Sequence, residues 1–280
     1  MGLWAGWALL TCAATPADPK AEPPIVLPTL RVVSERLDPK LLVPRAALTL
    51  PDFVNVTPET VFPTRARHDG VFEGRAVVGV MLDREGRVTD ALVLKYSNRA
   101  FADELLAVVR PERFTPRRVH GMPVSGRYAL GHRFYLGGSV AMTPLDAVAE
   151  FTHRITYRLE GGAPYEFQPC RESETDGKLL RFTHDGTLTL PADFRPPAGG
   201  PLKVIVSFYV DDAGLVRLPN VESDAEPSLI EAVLLSVASW RFAAPVRAGK
   251  PALVFAIRVL EFRAAAPTNA PALPAPGPVR

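Results

Sequence analysis

Catalysis and metal binding need particular side chains at particular spacings, and few such sets occur along this chain. Of the five histidines, His68, His120, His132, His153 and His184, none stands at i, i+4 from another and none lies beside a cysteine. The spacing of a zinc or metalloprotease site is therefore missing. His132 sits in an alternating apolar run and reads as a packed or edge-facing side chain. Ser125, within Met122-Pro123-Val124-Ser125-Gly126, lacks the preceding glycine and the strand-to-helix setting of a nucleophile elbow. Gly137-Gly138 and Gly199-Gly200 precede no helix that would complete a phosphate cradle and read as linker turns. Glu172, Glu174 and Asp176 lack the turn glycine and terminal glutamate of a calcium loop, so they read as a solvated acidic loop. No catalytic residue, cofactor or metal ligand stands out, and the chain reads as a non-enzymatic protein.

Composition agrees with a folded chain. Of 280 residues, 47% are hydrophobic and 22% charged, a balance outside the disordered and collagenous classes. Thirty-two basic against 30 acidic side chains leave a net charge of +2, too small a field to argue for nucleic acid as a partner. Two cysteines, Cys12 and Cys170, exclude a disulfide scaffold. Proline, at 29 residues, is about twice its usual one in twenty. It gathers at both ends and between apolar blocks, which suggests folded modules on stiff linkers.

The first 14 residues carry an apolar run, Leu3 to Leu10, followed by Thr11-Cys12-Ala13-Ala14. This resembles the hydrophobic region and cleavage site of a secretory signal, although no Lys or Arg precedes Leu3. Leu9-Leu10-Thr11-Cys12 offers an alternative lipoprotein reading with Cys12 acylated, which the Thr before the Cys fits poorly. The run is far shorter than the roughly 20 apolar residues of a spanning helix. The expectation is an exported chain without a membrane anchor, in which Cys170 is a single thiol in a linker.

A repeat organises the rest. Asp83-Arg84-Glu85-Gly86-Arg87-Val88 returns as Asp211-Asp212-Ala213-Gly214-Leu215-Val216, 128 residues later. The same offset carries Val78 onto Val206, Leu106 onto Leu234, Arg113-Phe114 onto Arg241-Phe242, Gly121 and Pro123 onto Gly249 and Pro251, and Phe134 onto Phe262. Each copy opens with an alternating strand, Val78-Val80-Leu82 or Val206-Phe208-Val210. An Asp-x-x-Gly turn then returns the chain as a hairpin. Phe101, Leu105, Leu106 and Val109 predict one face of a helix, matched by Leu229, Val233, Leu234 and Val237. Ser228 with Glu231 predicts a capping box for the second helix, and Pro111 limits the first. After a Gly-x-Pro turn comes a third strand, Tyr128 to Phe134 or Leu253 to Phe262. The fold class is α+β: two copies of a small antiparallel three-stranded sheet with a packed helix, in the order strand, strand, helix, strand.

The expected boundaries are a signal at 1–14, a Pro-rich linker at 15–57, a first domain at 58–137, a linker at 138–185, a second, degenerate domain at 186–264 and a disordered Ala/Pro tail at 265–280. Within the second linker, Thr143-Pro144 predicts a helix start, with Thr as cap and Pro at the first position. Glu160 to Gly177 predicts a surface loop.

The order Phe62-Pro63-x-x-Ala66-Arg67, Gly74-x-x-Val77-Val78, Asp83-x-x-Gly86-x-Val88, Ser97, Arg113-Phe114-x-Pro116, Gly121-x-Pro123 and Phe134 resembles the C-terminal domain of TonB-type energy transducers. The second copy keeps Leu190-Pro191, Arg195, Asp211-x-x-Gly214-x-Val216, Trp240-Arg241-Phe242, Gly249-x-Pro251 and Phe262. The resemblance implies a periplasmic module that grips an extended segment of an outer-membrane receptor in TonB-type transport. The binding would be strand addition to an exposed third strand. The positions it implies for the partner are Phe62, Pro63, Arg65 and Arg67, beside an edge strand carrying Tyr128, Leu130, His132 and Phe134. Phe62 stands where the family has Tyr, so a contact needing that hydroxyl is absent. The second copy has Leu190 and Asp193 in place of Phe62 and Arg65, which makes it the poorer binder. The missing membrane helix leaves a second reading, a structural envelope adaptor without energy coupling, in which the copies associate with each other or with a second chain through those edge strands.

Charge separates the copies. Residues 61–136 hold 13 Lys and Arg against 8 Asp and Glu, a net +5, whereas residues 190–263 hold 8 of each. The run Arg110, Arg113, Arg117, Arg118, His120 and Arg127 reads as a solvated face, with attraction of an acidic peptide or polymer as the alternative. Gly131 predicts a bulge that blunts the first copy's edge.

Overall fold

The computed structural model describes residues 29–32, 52–54, 58–139, 143–145, 163–186, 188–196 and 200–263. The expected signal and tail lie outside these residues. Strand β1 is Thr29–Val32 and helix α1 is Thr64–His68. The first unit continues with β2 (Glu73–Leu82), β3 (Val88–Tyr96), α2 (Arg99–Val109), the short hairpin β4 (Arg117–Val119) and β5 (Met122–Val124), and β6 (Gly126–Tyr135). Short strands come next at β7 (Gly138–Ser139), β8 (Thr143–Leu145), β9 (Cys170–Arg171) and β10 (Phe182–His184), with a 3-10 turn at Glu172–Glu174. The second unit comprises β11 (Leu202–Val210), β12 (Val216–Val221), α3 (Pro227–Ser239), β13 (Arg241–Phe242), the hairpin β14 (Val246–Arg247) and β15 (Lys250–Pro251), and β16 (Val254–Phe262). The class is α+β, and both main sheets put the first strand in the centre: β3-β2-β6 and β12-β11-β16.

Local chemistry explains why the same turn occurs twice. Asp83 Oδ1 accepts hydrogen bonds from the backbone N–H of Glu85 (3.0 Å) and Arg87 (2.8 Å), and Asp211 Oδ1 does the same for Ala213 (3.1 Å) and Leu215 (2.9 Å). Gly86 and Gly214 take φ of 75° and 80°, where a side chain is strained. A Cβ there would also come within 1.7 Å of the Phe114 carbonyl oxygen or 2.0 Å of that of Phe242. The approach is needed because Phe114 N–H donates to Gly86 O, and Phe242 N–H to Gly214 O, each at 2.9 Å. The repeated Arg-Phe pairs thus lie against the hairpin turn and close it, through the bridges Arg87–Arg113 and Leu215–Arg241.

Helix α2 starts at Asn98, whose side chain accepts from Ala100 N–H at 2.9 Å, and buries Phe101, Ala102, Leu105 and Val109. Helix α3 buries Leu229, Ile230, Val233, Leu234 and Val237. Each helix covers one face of its sheet. The opposite faces pack against each other through Val77, Leu94, Ala129, Tyr209, Leu218, Leu253 and Phe255. Gly79 makes room for this contact: a Cβ there would meet Leu218 at 2.5 Å. With both faces covered, Ala76 through Val80 are all buried. Burying a side chain of Leu size contributes about 1.5–3 kcal/mol, so this seam is a major source of stability for both units.

Several expectations are corrected. Thr143–Leu145 is a strand on the edge of β6, not a helix start. The residue before a proline is biased away from the α region, and the edge offers unpaired backbone groups. The 15–57 linker supplies β1, which pairs antiparallel with Arg258 to Glu261 of β16. The expected loop at 160–177 includes β9, parallel to Val254-Phe255. No bulge occurs at Gly131, because β6 stays in register with β2 from Gly126 to Tyr135. The capping box on α3 is absent: Pro227 takes the first position, with no side-chain cap, and Glu231 is used elsewhere.

Candidate functional site

The segment before β2 is held by aromatic packing. Phe62 meets Phe101 edge-on at 5.4 Å, Phe101 stacks on Phe134 at 4.9 Å, and His132 meets Phe134 edge-on at 4.5 Å. Thr60 Oγ1 lies 2.7 Å from His132 Nε2, and Val61 N–H donates to Glu104 at 3.1 Å. Phe62 thus lies over the seam between α2 and β6. Pro63 precedes the first turn of α1, which is anchored by buried Ala66 and leaves Arg65, Arg67 and His68 exposed. The structure therefore pairs His132 with Phe134, links Phe62 to them through Phe101, and leaves Arg65 and Arg67 exposed.

On β6 the side chains of Tyr128, Leu130, His132 and Phe134 are buried. Tyr128, Leu130 and Phe134 belong to the core under α2, so a partner would meet this strand through its backbone. The expected open edge is occupied. β8 pairs with Ala129 to Gly131 and β7 with Phe134 and Tyr135, while Arg127 N–H donates to Asn220 Oδ1 at 3.2 Å. Burial holds the His132 imidazole down to about pKa 4, so it is neutral at pH 7, and it pushes the Tyr128 phenol upward.

The basic run is not a solvated face throughout. Arg127 and Arg117 are buried in the seam between the units. Arg127 donates to Leu218 O (3.1 Å), Ser207 Oγ (2.8 Å) and Glu222 Oε1 (3.3 Å). Its guanidinium also lies over the rings of Tyr209 (5.2 Å) and Phe255 (5.5 Å). Glu222 further accepts from the Ser207 hydroxyl and from Asn220 Nδ2 at 2.9 Å, so the buried charge is enclosed in a network. Arg117 donates to Val221 O at 3.0 Å. Glu231 accepts from Ser125 N–H (2.6 Å) and Oγ (2.9 Å), and Arg217 donates to Asp90 at 3.0 Å. Arg110, Arg113 and Arg118 remain at least partly exposed, and His120 lies 3.0 Å from exposed Asp224. Sequence reasoning missed the seam. Its one local signal was Arg127 on the opposite face of β6 from the helix-facing apolar set.

The acids of the second linker are structural as well. Glu172 accepts from both terminal nitrogens of buried Arg258, at 2.9 and 2.7 Å. Glu174 pairs with Arg247 at 2.8 Å, and Asp176 accepts from the N–H groups of Ala248 and Gly249. Cys170, expected in a linker, is buried in β9, and burial raises its thiol pKa. Among the described residues no three His, Cys, Asp or Glu side chains gather as metal ligands, and no helix is long and apolar enough to cross a membrane.

Residues 58–136 match the family model of the Gram-negative bacterial TonB protein C-terminal. No curated protein and no solved structure matches the chain. The matched stretch runs from just before Phe62 to the end of β6 and so coincides with the first unit. The family is a non-enzymatic interaction domain of the envelope whose partners are outer-membrane receptors or other envelope proteins.

Proposed function

We propose that the chain is a periplasmic binding module of TonB-type transport, adding an extended receptor segment as a strand along the outer edge of β6. The observation that carries this reading is the coincidence of the family match with a third strand whose edge is covered by two short segments. One of them, Thr143–Leu145, contains Pro144, which lacks the N–H a ladder needs. In this reading β8 occupies the edge until the partner displaces it. Phe62 and Pro63 brace the strand's inner face, Arg65 and Arg67 meet the partner's flank, and Tyr128, Leu130, His132 and Phe134 hold the acceptor strand in register. The second unit is a duplicate of the first, and residues 1–14 direct export. A structural adaptor is the second reading, favoured by the buried Arg127 network that ties the units face to face.

The test places a photo-crosslinking residue at half-buried Arg133 of the full chain, with and without Thr143→Gly, Pro144→Gly and Leu145→Gly combined. Removing the covering strand should raise crosslinking to an outer-membrane receptor about tenfold, because the competent fraction rises. A chain that captures envelope proteins but never crosslinks them at this strand, in either form, is an adaptor. Leu130→Pro is not a usable probe, because Leu130 is 1% exposed and central to the core.

A further inference from the structure

The outer edge of β16 has two tenants of different character. β9 lies parallel to Val254-Phe255 and is pinned by the residues just after it, since Glu172 binds Arg258 through two hydrogen bonds and Asp176 accepts two backbone N–H groups from the 248–249 turn. β1 lies antiparallel to Arg258 through Glu261 and is only four residues long. Nineteen residues, 33–51, separate it from Asp52, the next described residue. On either side its sequence is Leu27-Pro28 and Val33-Ser34, so the strand lies within a mainly apolar stretch of sequence, Ile25 to Val33, interrupted by Pro28, Thr29 and Arg31. A four-residue edge strand gains a few backbone hydrogen bonds and loses the freedom of those residues, two quantities of similar size. Belonging to the same chain makes the pairing of such a strand intramolecular, which favours it over a free peptide of equal contacts.

We propose that the β16 edge at Arg258 to Glu261 is a strand-acceptor site for an extended apolar peptide, and that the chain's own Thr29–Val32 is its resident ligand in cis. The second unit, whose sequence makes it the poorer binder, then presents the acceptor edge that a short tethered peptide already fills. A free peptide of the same kind gains access only when β1 leaves, so Thr29–Val32 acts as a built-in competitor. This inference stands on the pairing of β1 with β16 and is independent of what binds β6.

Two measurements on the full chain test it. In the first, Leu30→Pro and Arg31→Pro are combined, which removes at least one of the N–H groups that alternate toward β16. A fluorescent synthetic peptide of residues 26–35 is then titrated. The variant should bind it at least tenfold more tightly than the unaltered chain, whose edge is filled. Equal affinity for both chains, or no binding by either, overturns the proposal. In the second, Arg31→Cys and Val259→Cys place cysteines at directly paired positions, within disulfide reach in either type of antiparallel pair; Cys12→Ser and Cys170→Ala remove competing thiols. Mild oxidation should give an intramolecular bond and abolish the slow exchange of labelled peptide. A disulfide-linked dimer, or no bond at all, shows that Thr29–Val32 does not serve its own chain's edge and sinks the cis assignment. Because neither readout involves β6 or an envelope partner, failure here leaves the strand-addition reading of the first unit to its own test.

Discussion

The third strands of the two units each carry a buried arginine, but on opposite faces. On β6 it is Arg127, turned away from α2 and into the seam, where it meets Leu218, Ser207 and Glu222 of the other unit. On β16 it is Arg258, on the side of the sheet that faces its own core, 5.9 Å above the Phe208 ring and bonded to Glu172. The positions 128 residues away hold Phe255 and Leu130, so neither charge has a counterpart. A shared strand path therefore fixes where the apolar residues go, while each buried charge is placed by what surrounds that strand. The first unit uses its charge to join its neighbour, the second to draw a linker into its own core.

The largest effect expected from this difference comes from Arg127→Ala. It leaves Glu222, whose side chain is 10% exposed, buried without its cation, at a cost of about 3–5 kcal/mol. Chemical denaturation should then show two transitions in place of one. Arg258→Ala should cost a similar amount within a single transition, and two-step unfolding of that variant would break the comparison. Gly86→Ala and Gly214→Ala come next. Each forces a positive φ and a carbonyl clash, so each should lose at least about 1–3 kcal/mol, measured by thermal or urea unfolding. Near-equal losses would sharpen the equivalence of the two hairpins.

The acid response should differ as well. His132 has a folded pKa of about 4 against about 6.5 unfolded. Above pH 6.5 both states are neutral and its contribution is complete. Between pH 6.5 and 4 the unfolded state takes up the proton first, and stability falls with a slope of up to about 1.36 kcal/mol per pH unit. Below pH 4 the loss levels off. His132→Leu should flatten this window, because the matching residue of the second unit, Leu260, does not titrate; an unchanged slope would show that burial of His132 does not set it. The smallest effect is assigned to Asp90→Asn, since both partners of the Arg217 contact keep close to a third of their exposure. It should cost less than about 1 kcal/mol and shrink further in salt.

The hairpins, helix faces and third strands were legible because their causes are local. Asp83 reaches only to Glu85 and Arg87, and the periodicity of Phe101, Leu105 and Val109 lies within one helix. The candidate residues were legible to a lesser degree. His132 does meet Phe134, and Phe62 reaches Phe134 only through Phe101, but nothing in the sequence indicated that the edge beside them is filled by Thr143–Leu145. Thr143-Pro144 suits a helix cap as well as an edge strand, and only the open backbone of β6 decides between them.

The sequence by itself therefore determined an α+β chain of antiparallel hairpins with packed helices, through turn chemistry and periodicity confined to a few neighbouring residues. The tertiary structure alone decided that the bare sheet faces close on each other, that Arg127 and Arg117 lie inside, and that Thr29–Val32 fills the edge of β16. The physical reason is range. A turn is specified by atoms a few positions apart, but which surface covers an apolar face or a strand edge depends on residues tens to hundreds of positions away, and pairing between them leaves no period in the chain.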